Sequence, residues 1–299
     1  MNFSQLTDID YQLLQVLAID LGLAILLLII FRWLSGRFAG VSSTEELAHR
    51  DNHAFGVSMA GGIAALAILL SGVVSGESLN DLQTEVIVVG GYGLLGIFLI
   101  KIGRMIQDFL VLPAVEIRTQ ISHGNMALAI VDVAHVIATA LMLRAAIIWA
   151  GGDSWIGLSA VLAAFAISQL MLGGISRMRR AIYANRNTGK QLDSGLESGN
   201  LALALRYAGH IIGVAFAVNS AAWFVVFDPV NWFASLAIWT VATAVLMLLL
   251  SFLAFIVRSL VLAGIDVRQE VDEQENIGVG AIEAVLYLSI ALLLNSVIV

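Results

Sequence analysis

The chain has no cysteine, and that absence removes disulfides, thiolate zinc sites, cysteine-ligated iron–sulfur clusters and cysteine nucleophiles together. Proline is nearly missing: Pro113 and Pro229 both fall between apolar runs. Charge is scarce, at 12% of 299 residues, where a soluble domain carries about a quarter. A basic excess is also lacking. The formal net charge is −7 and the sequence pI about 5.1, which excludes the basic face that a nucleic-acid partner requires. What fills the chain instead is apolar: 60% of residues are hydrophobic and the mean hydropathy is +0.93. The apolar residues run in stretches of about 20 or more, the length a helix needs to cross hydrocarbon. Unbroken runs without strand alternation exclude an outer-membrane barrel. The fold class is therefore all-α, a polytopic membrane helix bundle, and its 27 glycines suit close helix packing in lipid.

Eight spans are expected at 11–33, 53–75, 86–112, 126–150, 155–176, 201–227, 232–262 and 277–299. Every basic residue except Arg144 and Arg206 falls in the connections after the first, third, fifth and seventh spans. The alternate connections, with Glu77, Asp81, Glu85, Asp153 and Asp228, hold none. The positive-inside rule then puts both termini on the periplasmic or extracellular side and the four longer loops in the cytoplasm. Asp8 and Asp10 precede the first apolar run and Arg32 and Arg37 follow it, the reverse of a cleavable signal. Trp33, Trp149, Trp155, Trp223 and Trp232 sit near expected span ends, where interface-seeking indoles belong.

The four cytoplasmic loops end alike. Asn52, Asn125, Asn200 and Asn276 each precede a pattern of apolar or small residues and open an even-numbered span, at intervals of 73, 75 and 76 residues. That period signals four parallel two-helix repeats. Asparagine is among the best helix N-caps, which is the simple reading of all four. The functional alternative is a ring of asparagines around a cytoplasmic entrance. The segment Asp51-Asn-His-Ala-Phe-Gly-Val-Ser-Met-Ala-Gly61, with its counterparts, resembles the YjfL-like family of multi-pass inner-membrane proteins, a domain of unknown function. The resemblance implies two tandem four-helix units, about 1–150 and 151–299, in a bacterial inner membrane. It carries over no catalytic residue, and it associates the chain only with polyamine and membrane-stress functions.

Ionisable residues concentrate in the even spans. The fourth carries Asp132, His135 and Arg144; the sixth Arg206 and His210, with Asn219; the eighth Glu283, with Asn295. A charge at mid-bilayer costs at least ~2.5–3.5 kcal/mol, so these side chains should face a protein interior. The even spans are expected as an inner layer and the odd spans as lipid-facing, with Asp20 on the first span the exception. Counted from the asparagines, Asp132 and Glu283 are equivalent, as are His135 and His210. Their depth, about 10 Å in from the helix start, predicts one shared layer of two carboxylates, one guanidinium and two imidazoles.

Three readings of that layer are open. It is structural glue, with Arg206 neutralising a carboxylate; or a proton or cation pathway, since two carboxylates outnumber one arginine; or bis-histidine haem ligation by His135 and His210. The favoured activity is small-solute, proton or cation transport along Asp132, His135, Arg206, His210, Glu283 and Asp20. A non-transporting scaffold or membrane-stress protein is the alternative. Arg144 and Asn219 read as interfacial. The His49–His53 stretch reads as mixed charge and capping, not as a metal site. No zinc or phosphate-loop motif occurs and Ser159 has no base, so no enzyme, cofactor or metal is expected. The expected partners are the lipid bilayer, a second copy, and a cytoplasmic protein at loops 34–51, 104–124, 177–199 and 259–275. The basic run Arg177–Arg180 would touch anionic lipid or pair with the acidic loop 266–275.

Overall fold

The computed structural model describes residues 11–75, 82–151 and 154–298. Asp8, Asp10, Glu77, Asp81 and Asp153 lie outside them. Apolar composition leaves each backbone polar group to be satisfied within its own segment, and the described residues are accordingly helical, without strands. Ten helices follow one another: α1 (Tyr11–Ala39), α2 (His53–Val74), α3 (Leu82–Ile106), α4 (Ile117–Ser122), α5 (Met126–Ala150), α6 (Trp155–Arg186), α7 (Leu192–Glu197), α8 (Leu201–Phe224), α9 (Trp232–Val261) and α10 (Ile277–Ile298). All but α4 and α7 are long and apolar enough to cross a membrane, which gives the eight spans of an integral membrane protein. Single wide turns at Glu45–His49, Gln107–Val111 and Gln269–Glu273 complete the helical segments.

The membrane helices form two layers. One is a row in the order α2, α5, α8, α10, each helix packed along the next; these are the most extensive contacts in the molecule. The other holds α1, α3, α6 and α9: α3 lies over α2 and α5, α6 chiefly over α5, and α9 over α8 and α10. The expectation of an even-span inner layer needs refining. Only α5 and α8, flanked on both sides, are buried over most of their surface, while α2 and α10 end the row and are more exposed. Close approach depends on glycine. A Cβ on Gly209 would strike the Ala284 backbone of α10, and one on Gly280 would strike the Ala202 backbone of α8.

The loop-rich side, where the basic residues gather, is built from one recurring turn. Asn52, Asn125, Asn200 and Asn276 each accept, through Oδ1, the backbone N–H three residues on: Phe55, Leu128, Leu203 and Val279. The preceding residue is left-handed in every case: Asp51 (φ 48°), Gly124 (87°), Gly199 (90°) and Glu275 (56°). The side-chain amides of the first three then cross to the next hairpin. Asn52 donates to the Ile121 and Ser122 carbonyls, Asn125 to those of Leu196 and Glu197, and Asn200 to that of Val271. Asn276 is exposed and donates to its own Glu270. The asparagine side chains therefore tie hairpin to hairpin along a row.

Candidate functional site

Two ionic clusters lie near the basic side, one in each half of the row, in place of the single shared layer expected from spacing. In the first, α5 presents Asp132 toward α2 and α3. Arg104 of α3 holds it with two hydrogen bonds, Nε to Oδ1 at 3.1 Å and Nη2 to Oδ2 at 2.9 Å. Ser58 of α2 donates to Oδ2 at 2.5 Å. Asp132 is thus saturated. Beside it a cavity of about 90 Å³ is bounded by Lys101, Arg104, Arg118 and Asp108 and walled mostly by apolar side chains. Arg118 lies 3.8 Å from Asp108.

The second cluster is more crowded. Glu283 of α10 is fully buried, with Arg258 of α9 at 2.9 Å and Arg206 of α8 at 3.7 Å. Neither contact has hydrogen-bond geometry, so both carboxylate oxygens lack a hydrogen-bond partner. Arg206 is held by Asp272, which also accepts from Asn187. Arg179 of α6 donates to the Tyr287 hydroxyl at 2.9 Å and lies over its ring, and its Nε is unpartnered. The His210 ring rests on Tyr287 with centroids 3.4 Å apart; its Nδ1 faces the Arg206 carbonyl and its Nε2 has no partner. A chamber of about 50 Å³ opens among Arg179, Arg186, Arg206, Arg258, His210 and Asp272. Buried polar atoms left without partners in a space of this size mark room for a water or a small ion.

Several expectations change on this geometry. Asp132 and Glu283 share no partner, and Arg206 serves only the second cluster. The charge balance reverses, because Arg104, Arg179 and Arg258, counted from sequence as loop residues that fix topology, lie on helices and turn inward. For Arg179 the cause is helix length, since α6 continues to Arg186, ten residues beyond the expected end of its span; Arg104 and Arg258 lie within the expected spans, where the positive-inside count had assigned them to the loops. Arg104 and Arg179 each lie 21 residues before their asparagine, a regularity the repeat spacing could have revealed. Bis-histidine haem ligation is not supported. His135 Nε2 faces the Gly103 carbonyl of α3, whereas His210 stacks on α10, so the two imidazoles serve different helices. Arg180 pairs with Asp193 and not with the acidic loop, which Arg206 and Asn187 engage instead. Asp20 is buried on α1, and no group of three potential metal ligands occurs among the described residues.

A second polar layer lies on the opposite side. Nineteen residues beyond the four asparagines stand Ser71, Arg144, Asn219 and Asn295. They bond in pairs across the same two helix seams, Arg144 Nε to Ser71 at 3.1 Å and Asn219 to Asn295 at 2.7 Å, and Ser220 also donates to Asn295. Arg144 and Asn219 therefore pair helices. The α2–α5 and α8–α10 seams each carry a charged layer near the basic side and a polar layer near the other.

No curated protein and no solved structure matches the chain. A family model described as Domain of Unknown Function (DUF350) matches residues 8–147, 81–192 and 153–298, three overlapping segments that run nearly end to end. With its eight apolar helices and that match, the chain belongs to the DUF350 family.

Proposed function

We propose that the protein is an inner-membrane protein that admits a small anion from the cytoplasmic side into the chamber bordered by Arg179, Arg206 and Arg258 and passes it along the α8–α10 seam. One observation carries this reading: of the arginines that border the chamber, the three not exposed, Arg179, Arg206 and Arg258, meet two carboxylates, Asp272 on the chamber wall and Glu283 behind Arg206 and Arg258. The excess is one positive charge. Uncompensated charge at membrane depth is costly, and a resident anion reduces that cost. The unpartnered Arg179 Nε supplies a donor for it. The polar layer of Asn219, Ser220 and Asn295 gives the same seam a second station toward the periplasm. The cytoplasmic assignment follows from the basic loops by the positive-inside rule.

The test is flux from reconstituted vesicles, with chloride, nitrate, acetate and potassium efflux measured side by side. Anion efflux is expected above the protein-free level. Arg258→Gln should lower it about tenfold, the equivalent of one pKa unit of interaction with the ion, while Glu283→Gln should preserve or raise it. Anion efflux no faster than from protein-free vesicles, or potassium efflux without anions, overturns the proposal.

A further inference from the structure

The row of α2, α5, α8 and α10 repeats one contact, and its two flanks carry the two halves of that contact unmatched among the described residues. Within the row, Val133 of α5 fills the space over Gly61 of α2, and the Ala284 backbone of α10 lies against Gly209 of α8. Both contacts share a register: the ninth residue beyond one asparagine meets the eighth beyond the next. On α10 the ninth is Val285, and on α2 the eighth is Ala60; both are exposed. The turns correspond as well. Those at Glu45–His49 and Gln269–Glu273 are both wide and lead into a left-handed acidic residue, Asp51 or Glu275. Asn52 and Asn276 each donate to the glutamate six residues before, Glu46 and Glu270. Val271, five residues before Asn276, accepts through its carbonyl from Asn200 of the preceding hairpin. Its counterpart, the Leu47 carbonyl, accepts from no side chain among the described residues. Asn276 in turn has no cross-hairpin acceptor among them, whereas Asn52 donates to the carbonyls of Ile121 and Ser122.

We infer that a second copy of this chain docks head to tail, its α2 against α10, so that Asn276 donates to the Leu47 carbonyl of the neighbouring copy. The row of helices then continues from chain to chain. Charge agrees with that order. Near the basic side, the sixth residue beyond one asparagine meets the seventh beyond the next: Ser58 with Asp132, and Arg206 with Glu283. In the α5–α8 seam those places hold Val131 and Tyr207, and in the α10–α2 seam they would hold Ile282 and Met59. Charged and uncharged seams therefore alternate along the row, and docking strands no buried charge. Helices approach closely in lipid through small residues. Ala60 and Ala67, exposed on α2, stand where Ala284 and Ala291 of α10 pack against α8. A two-fold pairing, α2 on α2 or α10 on α10, would leave the Asn276 amide and the Leu47 carbonyl on separate faces. The head-to-tail contact is heterologous, so it closes into a ring or extends as a file in the membrane plane.

The lack of cysteine gives the full chain a silent background for disulfide trapping. Two differently tagged copies, one Ala60→Cys and the other Val285→Cys, are expressed in one membrane and oxidised. A disulfide forms where Cβ atoms come within about 3.5–4.5 Å. The mixed pair is expected to give a covalent dimer carrying both tags, and either variant paired with itself should give none. Ala60→Cys with Val241→Cys, exposed on α9, sets the level of random collision. Adding Asn276→Ser to the Val285→Cys copy keeps a capping oxygen and removes the amide. It should lower the dimer yield about fivefold, the worth of one hydrogen bond. Self-pairing as strong as mixed pairing would show a two-fold contact, and a mixed yield no higher than collision would show flanks covered by lipid or another protein. Either result overturns the inference, as does a yield indifferent to Asn276→Ser. None of these residues borders the chamber among Arg179, Arg206 and Arg258, so a failed flux experiment leaves the trapping result standing, and the reverse also holds.

Discussion

Single residues near the basic side do their work through hydrogen bonds that a neutral substitute partly retains, which makes pH the sharper probe. Glu46, in the turn before α2, is buried and accepts from Asn52 at 2.9 Å and from Arg50 at 2.7 Å. The Asn52 amide, then Arg50, hold its carboxyl below the usual range. A carboxylate whose folded pKa is depressed adds stability above its unfolded pKa, roughly 4.3, and loses that contribution as pH falls through the folded value. Wild type should therefore lose thermal stability on acidification below about pH 5 more steeply than Glu46→Gln, which keeps an acceptor for Asn52 but cannot titrate. Unfolding midpoints across that window are the measurement, and parallel curves for the two proteins would show that the Glu46 charge has no part in holding the turn. Because Glu46 shares the Asn52 side chain with the α2 cap and the α4 carbonyls, its titration reports on the first hairpin junction.

At the scale of elements, the four asparagines look alike in sequence and differ in position. All cap a helix, but Asn200 is buried and also donates to the Val271 carbonyl, while Asn276 is exposed and reaches only its own loop. Removing a cap costs about 1 kcal/mol. Leaving a buried carbonyl without its donor adds roughly 1–3 kcal/mol. Asn200→Ala should consequently destabilise by about 2–4 kcal/mol and Asn276→Ala by about 1 kcal/mol. Denaturant titration of both variants checks the ordering, and equal losses would mean that the links between hairpins contribute nothing. The caps were legible in the sequence because they are local, three residues from donor to acceptor. The Val271 link spans 71 residues, and no local pattern encodes it. Arg104 and Arg179 were obscured differently: a basic residue just past an apolar run reads equally as a loop anchor or as the inward face of a longer helix.

For the whole molecule, equivalent positions in the sequence need not meet in space. Asp132 and Glu283 occupy matching places, yet the row order α2, α5, α8, α10 puts the α5–α8 seam between their clusters. Asp132 is bound by Ser58 and Arg104, Glu283 by Arg206 and Arg258, and no side chain belongs to both sets. Spacing along the chain gives depth in the membrane, but which neighbour a helix face meets is decided by packing order, which spacing does not contain. Separate networks should contribute independently. Breaking either buried pair is expected to cost about 3–5 kcal/mol when the partner arginine is stranded, less where Asn or Gln keeps a hydrogen bond. In a double-mutant cycle of Asp132→Asn and Glu283→Gln, sites without shared partners should add to within about 0.5 kcal/mol. Unfolding free energies for wild type, both single variants and the double variant supply the test. A coupling term above about 1 kcal/mol would require a shared element that shifts with either charge, and the two seams would then act as one device. Additivity would instead leave each half with its own ionic site, the first with its Asp132 carboxylate held by hydrogen bonds and the second left short of negative charge.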